Sequence, residues 1–179
     1  MRSSRRTAAI VAATCTMLSL PAAAHAGPDP DVARLHGSAL VFYPPSPADE
    51  VRFTVDAYAR YGGLGPWPVR SWGTAHLSHH SPAQNYTVWY SMRVDCLMTG
   101  GDTATVTGEV LDASPNAAGW IGDRVGFSVT DRGRRDRVGM TGLLSPYPDD
   151  SPAPRKCTAP AAYSTVVGGG YTVTDTDHW

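Results

Sequence analysis

Three histidines crowd one short stretch of this chain, His76, His79 and His80. Imidazole is the side chain best suited to proton transfer near neutral pH and to binding zinc or copper. Their spacing works against a metal: on an extended strand His76 and His80 share one face and His79 takes the other, so a turn is needed to bring all three to one ion. They stand as a candidate metal site beside a plainer reading, a polar strand end with solvated or hydrogen-bonded imidazoles. No cofactor is expected.

A second constellation is Asp131-x-Gly-x-x-Asp136. Hard cations want clustered oxygens held by a sharp turn, yet this segment supplies two carboxylates with Arg132, Arg134, Arg135 and Arg137 among and beside them. It reads as a charged hairpin tip with local ion pairs, each worth about 0 to 1 kcal/mol when exposed. The functional rival is an anion site built from those four arginines. Aromatic residues form a third group: Trp67, Trp72, Trp89 and Trp120 with Tyr58, Tyr61, Tyr86 and Tyr90. Tyr61, Trp72 and Trp89 are the candidate ligand face, against the alternative that these rings fill the core. Hydrolytic signatures are missing: the chain has no G-x-S-x-G, no H-E-x-x-H and no phosphate loop with its lysine. Glu50 and Glu109 are the only glutamates, and the fourteen aspartates leave no pair that stands out for glycosidic chemistry.

The elements that must position these side chains are strands. Period-two alternation recurs and no window of a dozen residues carries a helical stripe. Val51, Phe53, Val55 and Ala57 alternate with Arg52, Thr54, Asp56 and Tyr58. In the long run from Tyr86 to Met98, unbroken alternation puts Val88, Tyr90, Met92, Val94 and Cys96 on the inner face, with Trp89, Ser91, Arg93, Asp95 and Leu97 opposite. Further strands are expected at 35–43, 72–78, 103–111, 124–130 and 135–141, and two short ones at 163–167 and 171–175, split by Gly168-Gly169-Gly170. Gly100-Gly101 and Gly133 mark hairpin turns. The expected fold is all-β, a single antiparallel domain of about eight strands, with a meander barrel favoured over a two-sheet sandwich because closure removes exposed edges.

Arg2, Arg5 and Arg6, the apolar stretch 8–20 and Ala24-His25-Ala26 form the pattern of a cleaved export signal over residues 1–26, leaving 27–179 as one secreted domain. An extracellular, oxidising location follows, with no membrane span and a monomer expected. Outside the leader, 12 of the 15 Lys and Arg remain against 16 Asp and Glu, which argues against nucleic acid as a partner. Arginine far outnumbers Lys156, the single lysine, and Asn and Ile are scarce, a composition typical of a GC-rich bacterial genome. Cys96 and Cys157 are the only cysteines outside the leader, and two such thiols in that compartment are expected to pair.

The run Arg93-Val-Asp-Cys-Leu-Met-Thr-Gly-Gly-Asp-Thr-Ala-Thr-Val-Thr-Gly-Glu-Val110, followed by 124–139 with its Asp131-Arg-Gly133 turn, resembles the secreted bacterial repetin proteins. The resemblance covers about two-thirds of residues 27–179 and implies an exported β domain with no established activity and no catalytic residue to carry over. The expected function is therefore non-catalytic binding of a small molecule or extracellular polymer, through an aromatic face or the barrel mouth. The alternatives are a metal- or carboxylate-dependent hydrolase using the 76–80 segment, and an inhibitor or envelope-associated interaction protein working through loops 113–122 or 145–154.

Overall fold

Alternating polar and apolar residues give each strand one dry and one wet face, and a sheet built from such strands must curl to cover its dry side. In the computed structural model, which describes residues 31–62, 65–141 and 153–176, the curl is complete. The leader, 1–26, and most of the loop expected at 145–154 lie outside the described residues. Eight strands follow in order: β1 (Val32–Val41), β2 (Glu50–Arg60), β3 (Arg70–Ser81), β4 (Tyr86–Gly100), β5 (Thr103–Ala113), β6 (Arg124–Thr130), β7 (Arg137–Met140) and β8 (Ser164–Thr174). Each pairs antiparallel with the next, and β8 returns to β1, so one sheet closes into a meander barrel.

Two sequence expectations need correction. Gly168-Gly169-Gly170 does not split the last strand; β8 runs through it, paired with Leu40, Ala39 and Ser38 of β1. A Cβ on Gly169 would lie 2.1 Å from the Ser38 carbonyl oxygen, so the missing side chain lets β8 close onto β1. The alternation in β4 also breaks. Register with β5 shifts between Val94 and Cys96, leaving Asp95 as the extra residue of a β-bulge. Beyond it the faces exchange: Leu97 is fully buried in the barrel core, whereas Cys96 turns to the outside. A second shift, between Ser91 and Met92, leaves Leu111 unpaired on β5.

Cys96 is nonetheless fully buried, because residues 153–163 cross the outer surface as a strap. Cys96 and Cys157 are bonded, with their Cα atoms 5.3 Å apart, and the Cys157 N–H donates to Thr107 Oγ1 on β5 at 3.0 Å. The strap then passes over β6 and β7 at two glycines. A Cβ would stand 2.9 Å from the Thr158 oxygen at Gly126 and 2.1 Å from the Ala161 oxygen at Gly139.

The barrel interior is filled. Phe53 and Phe127 meet edge to face with ring centroids 3.8 Å apart, and Tyr171 lies beside Phe53 and donates to its carbonyl oxygen at 3.0 Å. Leu35, Leu77, Met92, Leu97, Val106 and Val129 complete the packing, each such side chain stabilising the fold by about 1.5 to 3 kcal/mol. Tyr61 plugs one end, accepting the Thr99 N–H at 3.0 Å and donating to the Leu97 oxygen. The ring closes most thinly between β7 and β8, where two residue pairs meet. Carboxylates take over the role of a strand there: Asp136, 1% exposed, accepts the N–H of Tyr171 at 2.8 Å and of Arg132 at 2.8 Å, and Asp131 accepts that of Val173 at 3.0 Å.

Candidate functional site

β3 carries all three sequence-selected histidines, and its alternation separates them. His79 points into the barrel end, where its Nε2–H donates to Asp49 Oδ2 at 2.6 Å and Tyr43 packs edge-on against the ring. This bond holds the Asp49 carboxyl below its ordinary range, opposed by desolvation. Ser81 donates to the other oxygen of Asp49 at 3.0 Å. Its hydroxyl thus addresses the carboxylate and not the imidazole, so this trio lacks the serine-to-histidine bond that activates a nucleophile. His76 and His80 point outward, the first bonded to Ser91 Oγ and the second to Thr87 Oγ1, each at 3.0 Å. The structure does not bring the three together, and among the described residues no group of three or more His, Cys, Asp or Glu is placed to hold a metal ion.

The three aromatic candidates also diverge. Tyr61 is inside the barrel. Trp72 stands outside, stacked on Tyr58 with centroids 5.5 Å apart and planes 8° from parallel. Arg34 lies over the Tyr58 ring at 5.1 Å and Arg70 over Trp72 at 5.3 Å, so this ladder occupies its own ring faces. Trp89, also outside, sits beside the His76 ring at 5.7 Å. Of the four hairpin arginines, Arg132 pairs with Asp102 at 3.2 Å and Arg137 donates to the Tyr163 carbonyl oxygen. Arg134 and Arg135 are exposed on the short 3-10 turn between β6 and β7.

What the sheet does assemble is a row. Thr54 on β2, His76 on β3 and Ser91 on β4 are register partners on the outer face. They line an open depression of about 360 Å³ together with Asp56, Thr74 and Leu111, the bulge residue, which is 49% exposed. Ion pairs flank it, Arg34 with Asp56 at 2.8 Å and Arg93 with Glu109 at 3.0 Å. The chemistry is mixed: hydroxyls and an imidazole that can donate or accept, a carboxylate, and an apolar side chain. Sequence reasoning selected His76 but missed its partners. The outward parity of Thr54, Thr74 and Ser91 was readable, whereas their alignment depends on strand register. Asp49, the partner of His79, carried no local signal, being 30 residues away.

No protein-family model, curated protein or solved structure matches this chain. Among the described residues, no helix is long and apolar enough to cross a membrane.

Proposed function

We propose that the chain is an exported, non-catalytic binding domain that holds a hydroxyl-rich extracellular molecule, a neutral polysaccharide segment, on the outer face of β2 to β5. The observation that carries this reading is the register-aligned row Thr54, His76 and Ser91 beside exposed Leu111. A saccharide offers vicinal hydroxyls to such donors and acceptors and an apolar C–H face to Leu111. The filled interior supports the outer face over the barrel mouth. Export is supported by the leader pattern of residues 1–26 and by the buried disulfide, which suits an oxidising compartment. The resemblance to secreted repetin proteins supports the same location.

Isothermal titration of the purified protein against soluble neutral glucan, chitin and mannan oligosaccharides tests the reading. One of these binds, and the double variant His76→Ala/Ser91→Ala, both positions being on the outer surface, weakens that binding at least tenfold. Unchanged affinity in the variant, or binding to none of the three, overturns it.

A further inference from the structure

A second groove lies where the segment after β2 meets the disulfide strap, and its chemistry differs from the first. Trp67, Val69, Arg70, Ser71, Asp95 and Lys156 line an open space of about 330 Å³. Trp67 and Val69 are 60% and 63% exposed, among the most exposed large apolar side chains of the described residues. Pro66 and Pro68 flank Trp67 and restrict its backbone, so less chain entropy is lost when the indole is engaged.

Charge on the walls is one-sided. Asp95 is already committed: Arg124 Nε lies 2.8 Å from one carboxylate oxygen and Thr107 Oγ1 is 2.6 Å from the other. Among the described residues Arg70 and Lys156 form no ion pair, and Arg155 adds a third exposed cation next to Lys156. The Arg70 guanidinium lies over the Trp72 ring at 5.3 Å, a contact that does not neutralise its charge. Lys156 is held at the groove because its neighbour Cys157 is bonded to β4. An occupant complementary to these walls is anionic and carries an apolar face for Trp67. It also supplies groups for Ser71, whose Oγ accepts the Leu97 N–H at 3.0 Å and keeps its own proton to donate. A plain aromatic acid has only its carboxylate to offer both the cations and Ser71, whereas a sugar acid adds ring hydroxyls.

We propose that this groove binds an acidic sugar, a pyranose ring stacked on Trp67 with its carboxylate or sulfate between Arg70 and Lys156. The inference rests on the extracellular-binding reading only for where the ligand is met. The two grooves are tested with different variants and probes, so each can fail alone.

The experiment is titration of the full protein with sulfated dextran, carboxymethyl dextran and neutral dextran of matched length, alongside polyglutamate and anionic phosphatidylglycerol vesicles. Variants are Trp67→Ala, Arg70→Gln/Lys156→Gln and, as a charge-matched control away from the groove, Arg134→Gln/Arg135→Gln. All these positions are exposed, so folding is preserved. At least one charged dextran binds, neutral dextran binds at least tenfold more weakly, both groove variants lose at least tenfold, and the control stays within twofold. A control that loses as much as the groove pair makes the binding unspecific and overturns the proposal, as does a Trp67→Ala variant that keeps full affinity. Polyglutamate or vesicles binding as tightly as the charged dextrans assigns the groove to an acidic peptide or a lipid surface and equally overturns it.

Discussion

Replacing both Cys96 and Cys157 with alanine removes a cross-link between residues 61 positions apart. Confining a chain loop of that length lowers the entropy of the unfolded state by about 14 cal/mol/K, or about 4 kcal/mol at 25 °C. The folded state should change little, because the strap has other anchors: the Cys157 N–H on Thr107 Oγ1 and the close passage over Gly126 and Gly139. The expected loss is therefore nearly the whole entropic figure, a fall in midpoint of about 8 to 16 °C for a domain of this size. Urea unfolding followed by tryptophan fluorescence provides the assay, and it yields a second observable. The uncrosslinked unfolded chain is more expanded, so the denaturant slope should rise as the midpoint drops. Either single substitution should cost about as much as the pair, since the bond is one unit. A loss under about 1 kcal/mol with an unchanged slope, or a single variant close to the native protein, would refute the account of the strap as a staple.

Two further outcomes follow from the carboxylates. Asp136→Ala strands the N–H groups of Tyr171 and Arg132 at a 1% exposed position, which should cost about 1 to 3 kcal/mol for each group left unpaired; chemical denaturation checks the loss, and hydrogen exchange should show it concentrated in β8. Asp49 predicts an acid response. Its folded-state carboxyl titrates below the ordinary 3.8 because His79 donates to it, so its contribution is complete above that value and disappears as pH falls through the lowered folded one. Asp49→Asn should flatten the acid limb of a stability profile taken from about pH 6 to pH 2; parallel limbs in the two proteins would show that the His79 contact does not control it.

The strand pattern was legible because alternation is local: 124–130 appears in the sequence and in the structure with the same bounds. What escaped is what register and long-range contact decide. One inserted residue, Asp95, exchanges the faces of Cys96 and Leu97, and nothing in the composition of Val94-Asp95-Cys96 announces the bulge. The carboxylates of Asp131 and Asp136 read naturally as partners for the arginines beside them, yet they accept backbone N–H groups from β8, because a four-residue β7 leaves that strand unpaired. His76, His79 and His80 were legible as a cluster and illegible as a site, since the strand that carries them turns one inward and two outward.

These limits have a common physical origin, which also bears on where the function lies. An eight-stranded barrel has an interior just wide enough for side chains to fill, and here Phe53, Phe127 and Tyr171 fill it, with Tyr61 sealing one end. The binding proposed for this chain is therefore assigned to the outer surface, where each groove is assembled across neighbouring strands or between a strand and the strap. The first groove draws Thr54, His76 and Ser91 from three strands, and the second joins Trp67 to Lys156 through a disulfide. A site of this kind is a property of register and cross-linking, so shifting β3 against β4 by one residue would turn His76 and its neighbours inward while leaving their spacing in the sequence untouched.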